Sequence, residues 1–312
     1  MAVWTRDYRV STIVLDINGA PAGIPIRGIV SNSNPTNIEV EQEQAASSIF
    51  PDTVTLRRIR PAASFTTIDI ETALNTFGLM GLCVNATSPD EGVVFYCQKQ
   101  SCDGVATGSV HDKFAVKSGL VIANNLSVDH MGNASITYDV YERYDGTTAP
   151  VVKTSNVALP TVTLGPIGRW TMYDLTVAAN TLTGKRSCRL NLNAVVTQEG
   201  ADSEVFDSVT SLQTIAPVFT ATGVDQTWFG TVIPTLSGLS VIHGTTKFRL
   251  KRRDKTLAQT NHVSFSFNGL ATLTNLFGGQ INSPQETSLQ IHCAHDGTNP
   301  PVVFATGIDL LS

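Results

Sequence analysis

The chain has 312 residues, of which 42% are hydrophobic and 15% charged, and its formal net charge is −5. That length allows two domains, each able to bury its own core, and the negative balance excludes binding to nucleic acid or an anionic membrane through bulk charge. Thr, Ser, Asn and Val are conspicuous, and this composition favours strands and polar turns over long charged helices.

The start shows no basic stretch followed by an apolar run, and no stretch of about 18 apolar residues exists to span a bilayer. A soluble protein made in the cytosol, without membrane partners, is expected. Five cysteines (Cys83, Cys97, Cys102, Cys188 and Cys293) without metal-ligand spacing predict free, mostly buried thiols.

Tyr8 to Asp16 and Ile24 to Ser31 read as a hairpin around an Asn18-Gly19 turn and the Pro21 to Gly23 loop. In Ile38-Glu-Val-Glu-Gln-Glu-Gln44, alternation puts Glu39, Glu41 and Glu43 on one face of a strand. Leu56 to Phe65 is an apolar-rich run. Ile70, Ala73, Leu74 and Phe77 then follow helical spacing, with Asp69 placed to cap the start and Gly78 the end. Val93 to Gln100 and Val110 to Val116 form a long hairpin with Asp103-Gly104 at its turn. Ile136 to Tyr141 leads into Asp145-Gly146-Thr147, read as the turn of a closing hairpin.

Much of this order comes a second time. Asp145-Gly146-Thr147 and Pro150-Val151-Val152 match Asp296-Gly297-Thr298 and Pro301-Val302-Val303 at a spacing of 151 (296 − 145). Leu56, Ile59 and Pro61 match Leu212, Ile215 and Pro217 at 156 (212 − 56), Leu79 meets Leu236 at 157 (236 − 79), and Gly119-Leu120 meets Gly269-Leu270 at 150 (269 − 119). A spacing that drifts while the order holds is what loop insertions do to a tandem duplication. The expectation is therefore a mostly β chain of two homologous β-sandwich or half-barrel domains, residues 1–155 and 156–312, each with one short helix and a long hairpin. In the second copy Asp225 leads a shorter or distorted helix packed through Trp228 and Phe229, and Lys251-Arg252-Arg253-Asp-Lys255 forms a basic run near the second hairpin turn.

The acidic strand, joined in the second copy by Glu199, Asp202 and Glu204, reads as a solvated or lumen-facing surface. Carboxylate catalysis needs groups converging from different elements. His292, Cys293 and His295 fall on opposite faces of one strand, which splits any metal set. No catalytic, cofactor-binding or metal-binding set emerges, so no enzyme and no cofactor are expected.

Arg60-Pro-Ala-Ala-Ser-Phe-Thr-Thr-Ile-Asp-Ile70 with the following helix, Gly119-Leu-Val-Ile-Ala-Asn-Asn-Leu-Ser-Val128, and the two Asp-Gly-Thr turns resemble the tail tube proteins of long-tailed (siphovirus-like) bacteriophages. The likeness is architectural, covers most of the chain, and points to the subset with two tube domains per chain. It implies homotrimeric rings of pseudo-six-fold symmetry stacked into a tube. Such a protein belongs to the virion tail, is assembled in the host cytoplasm, contacts other tail proteins, and lets DNA pass without specific binding. The acidic residues Glu39, Glu41, Glu43, Glu199, Asp202 and Glu204 would line the lumen, and Lys99, Asp103, Lys251, Arg252, Arg253 and Lys255 would contact the next ring. A double-jelly-roll coat protein is the alternative, disfavoured by the helix. A carbohydrate-binding β protein is a further one, disfavoured by the dispersed Trp4, Trp170 and Trp228.

Overall fold

The computed structural model describes residues 7–17, 20–21, 25–46, 49–100, 106–159, 167–177, 180–201, 204–225, 228, 246–275 and 286–311. It is mostly β. In chain order the strands are β1 Asp7–Ile17, β2 Ala20–Pro21, β3 Ile29–Ser33, β4 Ile38–Glu43, β5 Thr53–Ile59 and β6 Ala62–Thr67; after helix α1, Ile70–Phe77, come β7 Leu82–Asn85, β8 Gly92–Gln100, β9 Ala106–Val116, β10 Ser118–Asp129, β11 Ser135–Glu142 and β12 Val151–Ala158. There follow β13 Trp170–Val177, β14 Asn180–Thr181, β15 Lys185–Asn191, β16 Ala194–Glu199, β17 Val209–Ile215 and β18 Val218–Gly223. The chain closes with β19 Thr246–Arg252, β20 His262–Phe267, β21 Gly269–Asn275, β22 Thr287–Cys293 and β23 Val302–Ile308.

Two five-stranded sheets have orders β12-β9-β8-β1-β2 and β23-β20-β19-β13-β14. A nine-stranded sheet runs β21-β22-β18-β15-β10-β11-β6-β3, with β7 beside the first half of β10, and two hairpins, β4–β5 and β16–β17, stand as separate ribbons. Written in terms of chain order, the two five-stranded sheets have the same topology, and so do the two halves of the large sheet. Registers agree too. Val116 faces Val151 and Phe267 faces Val302, both displaced by 151 (302 − 151). Ile38 faces Ile59 and Ala194 faces Ile215, both displaced by 156 (194 − 38), with bulges at Glu39/Val40 and Val195/Val196. Asn37 and Asn193 take φ of 46° and 47°, a left-handed conformation that Asn tolerates. Each donates its side-chain amide to a carbonyl, that of Arg60 at 3.0 Å and that of Ala216 at 3.1 Å.

One large apolar cluster holds the layers together and crosses from one half to the other, and a smaller one gathers Val14, Val94, Tyr96 and Ala115. In the first half Phe65 stacks on Tyr138 at 5.5 Å and meets Phe77 and Phe95; in the second Phe219 stacks on Phe267 at 4.5 Å and meets Phe248. Helix α1 buries Ile70, Ala73, Leu74 and Phe77 as its spacing predicts, and the Gly78 amide closes it on the Leu74 carbonyl at 2.8 Å. Asp69 does not cap a backbone amide; its carboxylate accepts the Thr72 hydroxyl at 2.9 Å. Of the second-copy helix, only Trp228 lies among the described residues.

Two expectations change. The hairpin predicted to pair Tyr8–Asp16 with Ile24–Ser31 is confined to the two residues of β2; beyond an isolated bridge at Ile13 and Ile26 the chain crosses to the other sheet as β3. The Asp-Gly-Thr turns close no hairpin. Each leads from the large sheet (β11, β22) into a five-stranded sheet (β12, β23), so it joins layers. Their turn chemistry is as expected: the Asp145 carboxylate accepts the amides of Thr147 and Thr148, and that of Asp296 the amides of Thr298 and Asn299. The division expected at residues 155/156 falls inside β12, whose residues to Ala158 pair with β9. No helix among the described residues is long and apolar enough to cross a membrane, and Cys83, Cys97, Cys188 and Cys293 are free thiols, Cys83 exposed.

Candidate assembly surface

The two ribbons share one register but not one environment. In β4–β5, alternation places Glu39, Glu41 and Glu43 on one face, opposite Arg58, Thr55 and Thr53. The other face carries Ile38, Val40 and Gln42 opposite Ile59, Leu56 and Val54. Val40 is 53% exposed and Val54 63%, and at the ribbon tip Ile49 is 87% and Phe50 76% exposed. Apolar groups this open, gathered on one element, mark an interaction surface.

In β16–β17 the matching face is half-buried against the first half of the chain. Gln198 donates its side-chain amide to the Glu142 carbonyl at 2.8 Å, and the Thr210 hydroxyl donates to the same oxygen at 3.4 Å. The tip loop completes the contact. Phe206 lies 5.4 Å from the Tyr144 ring and forms a parallel bridge with Ile59, whose amide donates to Val205 at 2.8 Å. Asp207 holds this in place: its carboxylate, 2% exposed, pairs with Arg58 and, at 3.4 Å, with Arg60, while its carbonyl accepts the Tyr144 amide at 2.7 Å.

The large sheet crosses the same junction. β10 and β15 pair antiparallel from Asn125–Asn191 to Asp129–Ser187, leaving β3 and β21 at the two ends of its strand order. Beside the β3 end a cavity of about 520 Å³ opens, lined by Asn32, Asn34, Ile59, Phe95, Phe114 and Phe206 among others. Glu142, whose carbonyl anchors β16–β17, is 1% exposed, and neither carboxylate oxygen has a hydrogen-bond partner among the described residues. Burial without a compensating charge raises its pKa to about 8.

The residues singled out from sequence distribute unevenly. Glu39, Glu41 and Glu43 share one exposed face, and Glu39 lies 3.8 Å from Arg60. Glu199 occupies the ribbon position of Glu43, but Val195 and Thr197 stand where Glu39 and Glu41 would be, so the second ribbon is much less acidic. Glu204 is in the tip loop; Asp202 and Asp103 lie outside the described residues, as do the Asn18-Gly19 and Asp103-Gly104 turns. Lys99 is within β8, paired with Tyr8. Arg252 bonds Asp254 at 2.8 Å, and Arg253 donates to the carbonyls of Met131 and Gly132 at 2.6 and 2.8 Å. These two arginines brace the molecule itself, leaving Lys251 and Lys255 as the members of the basic run with neither a side-chain hydrogen bond nor an ion pair among the described residues.

Sequence reading missed Phe50, Phe206, Glu142 and the Arg58–Asp207 pair. The two phenylalanines stand 156 apart (206 − 50), the spacing already seen at Leu56 and Leu212, so that signal was present. No model of a known protein family matches the chain, and no curated protein matches it.

Proposed function

We propose that this chain is a tandem duplication of one tube-type β domain and builds stacked rings of a bacteriophage tail tube through which DNA passes. The observation that carries the reading is the junction between halves. The large sheet passes from β10 to β15 by ordinary strand pairing, yet its strand order still ends in β3 and β21. β3 matches β15 in order and register, and β21, from Gly269 to Asn275, matches β10 from Gly119 to Asn125. On that match the same junction repeats from chain to chain, the counterparts of Leu126 to Asp129 lying outside the described residues. A head-to-tail contact of this kind closes into a ring or runs on as a filament, and edge pairing turns an aggregation hazard into an assembly device.

Matching sheet orders, registers and bulges support the duplication. The three-chain ring, the lumen and the tail partners come from the resemblance. In that arrangement Glu39, Glu41 and Glu43 face the lumen, where like charge keeps DNA from adhering, and Lys251 and Lys255 reach an acidic face of the next ring. Negative-stain microscopy of the purified protein tests the proposal: rings or striated tubes are expected, whereas monomers at every concentration, or closed shells, overturn it. A reconstruction with the three glutamates on the outer wall would remove the lumen assignment alone.

A further inference from the structure

We propose that the cavity beside the β3 end is a binding site for a small uncharged amphiphile, a ringed molecule bearing one hydrogen-bonding group. The inference stands apart from the assembly reading, since the walls come from one chain. The cavity measures about 520 Å³, within the range of sites that enclose small organic molecules. Its walls differ in kind. Phe95, Phe114 and Phe206 bring three rings to one side, whereas Asn32, Ser33, Asn34 and Thr36, from the end of β3 and the loop after it, bring amides and hydroxyls to the other. Asn32 pairs across the strands with buried Phe65, so its amide lies on the core-facing side of the sheet, and Asn34, two residues on, shares that side.

This division sets the ligand. Aromatic faces take another ring by offset or edge contact, and the amides supply both donors and acceptors for a polar group turned toward β3. None of the described lining residues carries a charge, and the Cys97 thiol is kept protonated by burial, which pushes it up to about 11. An ionised molecule would lose its hydration there with no opposite charge to replace it.

The second half shows the same space filled. Asn34, Thr36 and Cys97 correspond to Leu190, Leu192 and Leu250, displaced by 156 (190 − 34), 156 (192 − 36) and 153 (250 − 97). Each of these leucines is at most 1% exposed. Phe219, which stacks on Phe267 and meets Phe248, corresponds to Ala63, and those two partners correspond to Val116 and Phe95. Wherever these paired positions differ, the first half has the smaller or more polar side chain. Interiors otherwise pack to crystal-like density and voids cost stability. A molecule bound only by the folded chain offsets that cost.

Phenylnaphthylamine is a suitable probe: it is uncharged, has fused rings and a single N–H, and fluoresces more strongly out of water. Titrated into the full chain, it should bind at one site and raise the thermal unfolding midpoint, while anilinonaphthalene sulfonate, which is charged, should bind roughly tenfold or more weakly. Two variants locate the site. Thr36→Trp narrows the mouth from an exposed position and should keep the parent's unfolding midpoint; Asn34→Leu with Cys97→Leu installs the residues of the second half. Each should weaken probe binding by roughly tenfold or more. No binding to the parent, or undiminished binding in a variant that keeps the parent's midpoint, overturns the site. Fluorescence should persist in assembled material; its loss on assembly would assign the cavity to contact between copies and overturn the ligand, leaving the tube reading standing.

Discussion

Glu142 is a buried acid at the junction between halves. Its carboxyl is buried with neither oxygen bonded among the described residues, and burial lifts its pKa from the usual 4.5 to about 8. Below about pH 4.5 both folded and unfolded chains hold the proton; between there and about 8 only the folded chain does. The stability present at low pH is therefore lost as pH rises through that window, by an amount on the order of a few kcal/mol. Glu142→Gln should remove this slope. Melting temperatures of variant and parent are expected to converge near pH 4.5 and to diverge by pH 8.5 with the variant higher; parallel curves would deny Glu142 the role. Gly119 and Gly269 form a second residue-scale test. A Cβ on either would lie 2.1 Å from a carbonyl oxygen of the neighbouring strand, that of Tyr141 or His292. Alanine at either position should cost about 1–3 kcal/mol in denaturant unfolding.

Among the elements, the β16–β17 ribbon depends on Asp207. Removing that carboxylate strands Arg58, which is 23% exposed on its side chain, beside a buried gap. Breaking a buried pair costs about 3–5 kcal/mol, and partial exposure of both arginines lowers the expected loss for Asp207→Ala to roughly 2–3 kcal/mol. Hydrogen exchange should show it locally, with amides of β16 and β17 losing protection while those of β8 and β9 keep theirs. Helix α1 and the repeated turns were legible because their signals are local: helical spacing at Ile70 to Phe77, and a carboxylate with a following Gly at Asp145 and Asp296. What the turns connect was not legible. The same Asp-Gly chemistry serves a hairpin or a step between layers, and the route is seen only in the strand pairing that follows, Val151 with Val116 and Val302 with Phe267. Glu142 was hidden for a related reason, since nothing beside it in sequence reveals that strands from both halves enclose it.

For the whole molecule, charge and edges carry the reading. Arg252 and Arg253 are engaged within the chain, so in the proposed tube any contact between rings by this segment falls to Lys251 and Lys255. Lys251→Glu with Lys255→Glu should shorten tubes while single rings persist, with lengths read by electron microscopy; tubes of normal length would clear both lysines of the task. Composition foretold the mostly β class, and the spacing of repeats anticipated the parallel order of the sheets. The open ends at β3 and β21, and the route of β12, depend on pairings between residues far apart in sequence.

The pairing of β10 with β15 also bears on synthesis. Asp129 ends one strand, and Lys185 begins its partner, 56 residues later (185 − 129). At ribosomal rates of about 5–20 residues per second, the far half of β10 leaves the exit tunnel roughly 3–11 seconds before the strand that covers it. During that interval a nascent chain offers a bare edge to every neighbour on the same message. A β15 emerging from an adjacent ribosome could pair with it as well as its own, giving domain-swapped chains from crowded polysomes, so slower initiation should raise the yield of correctly folded protein.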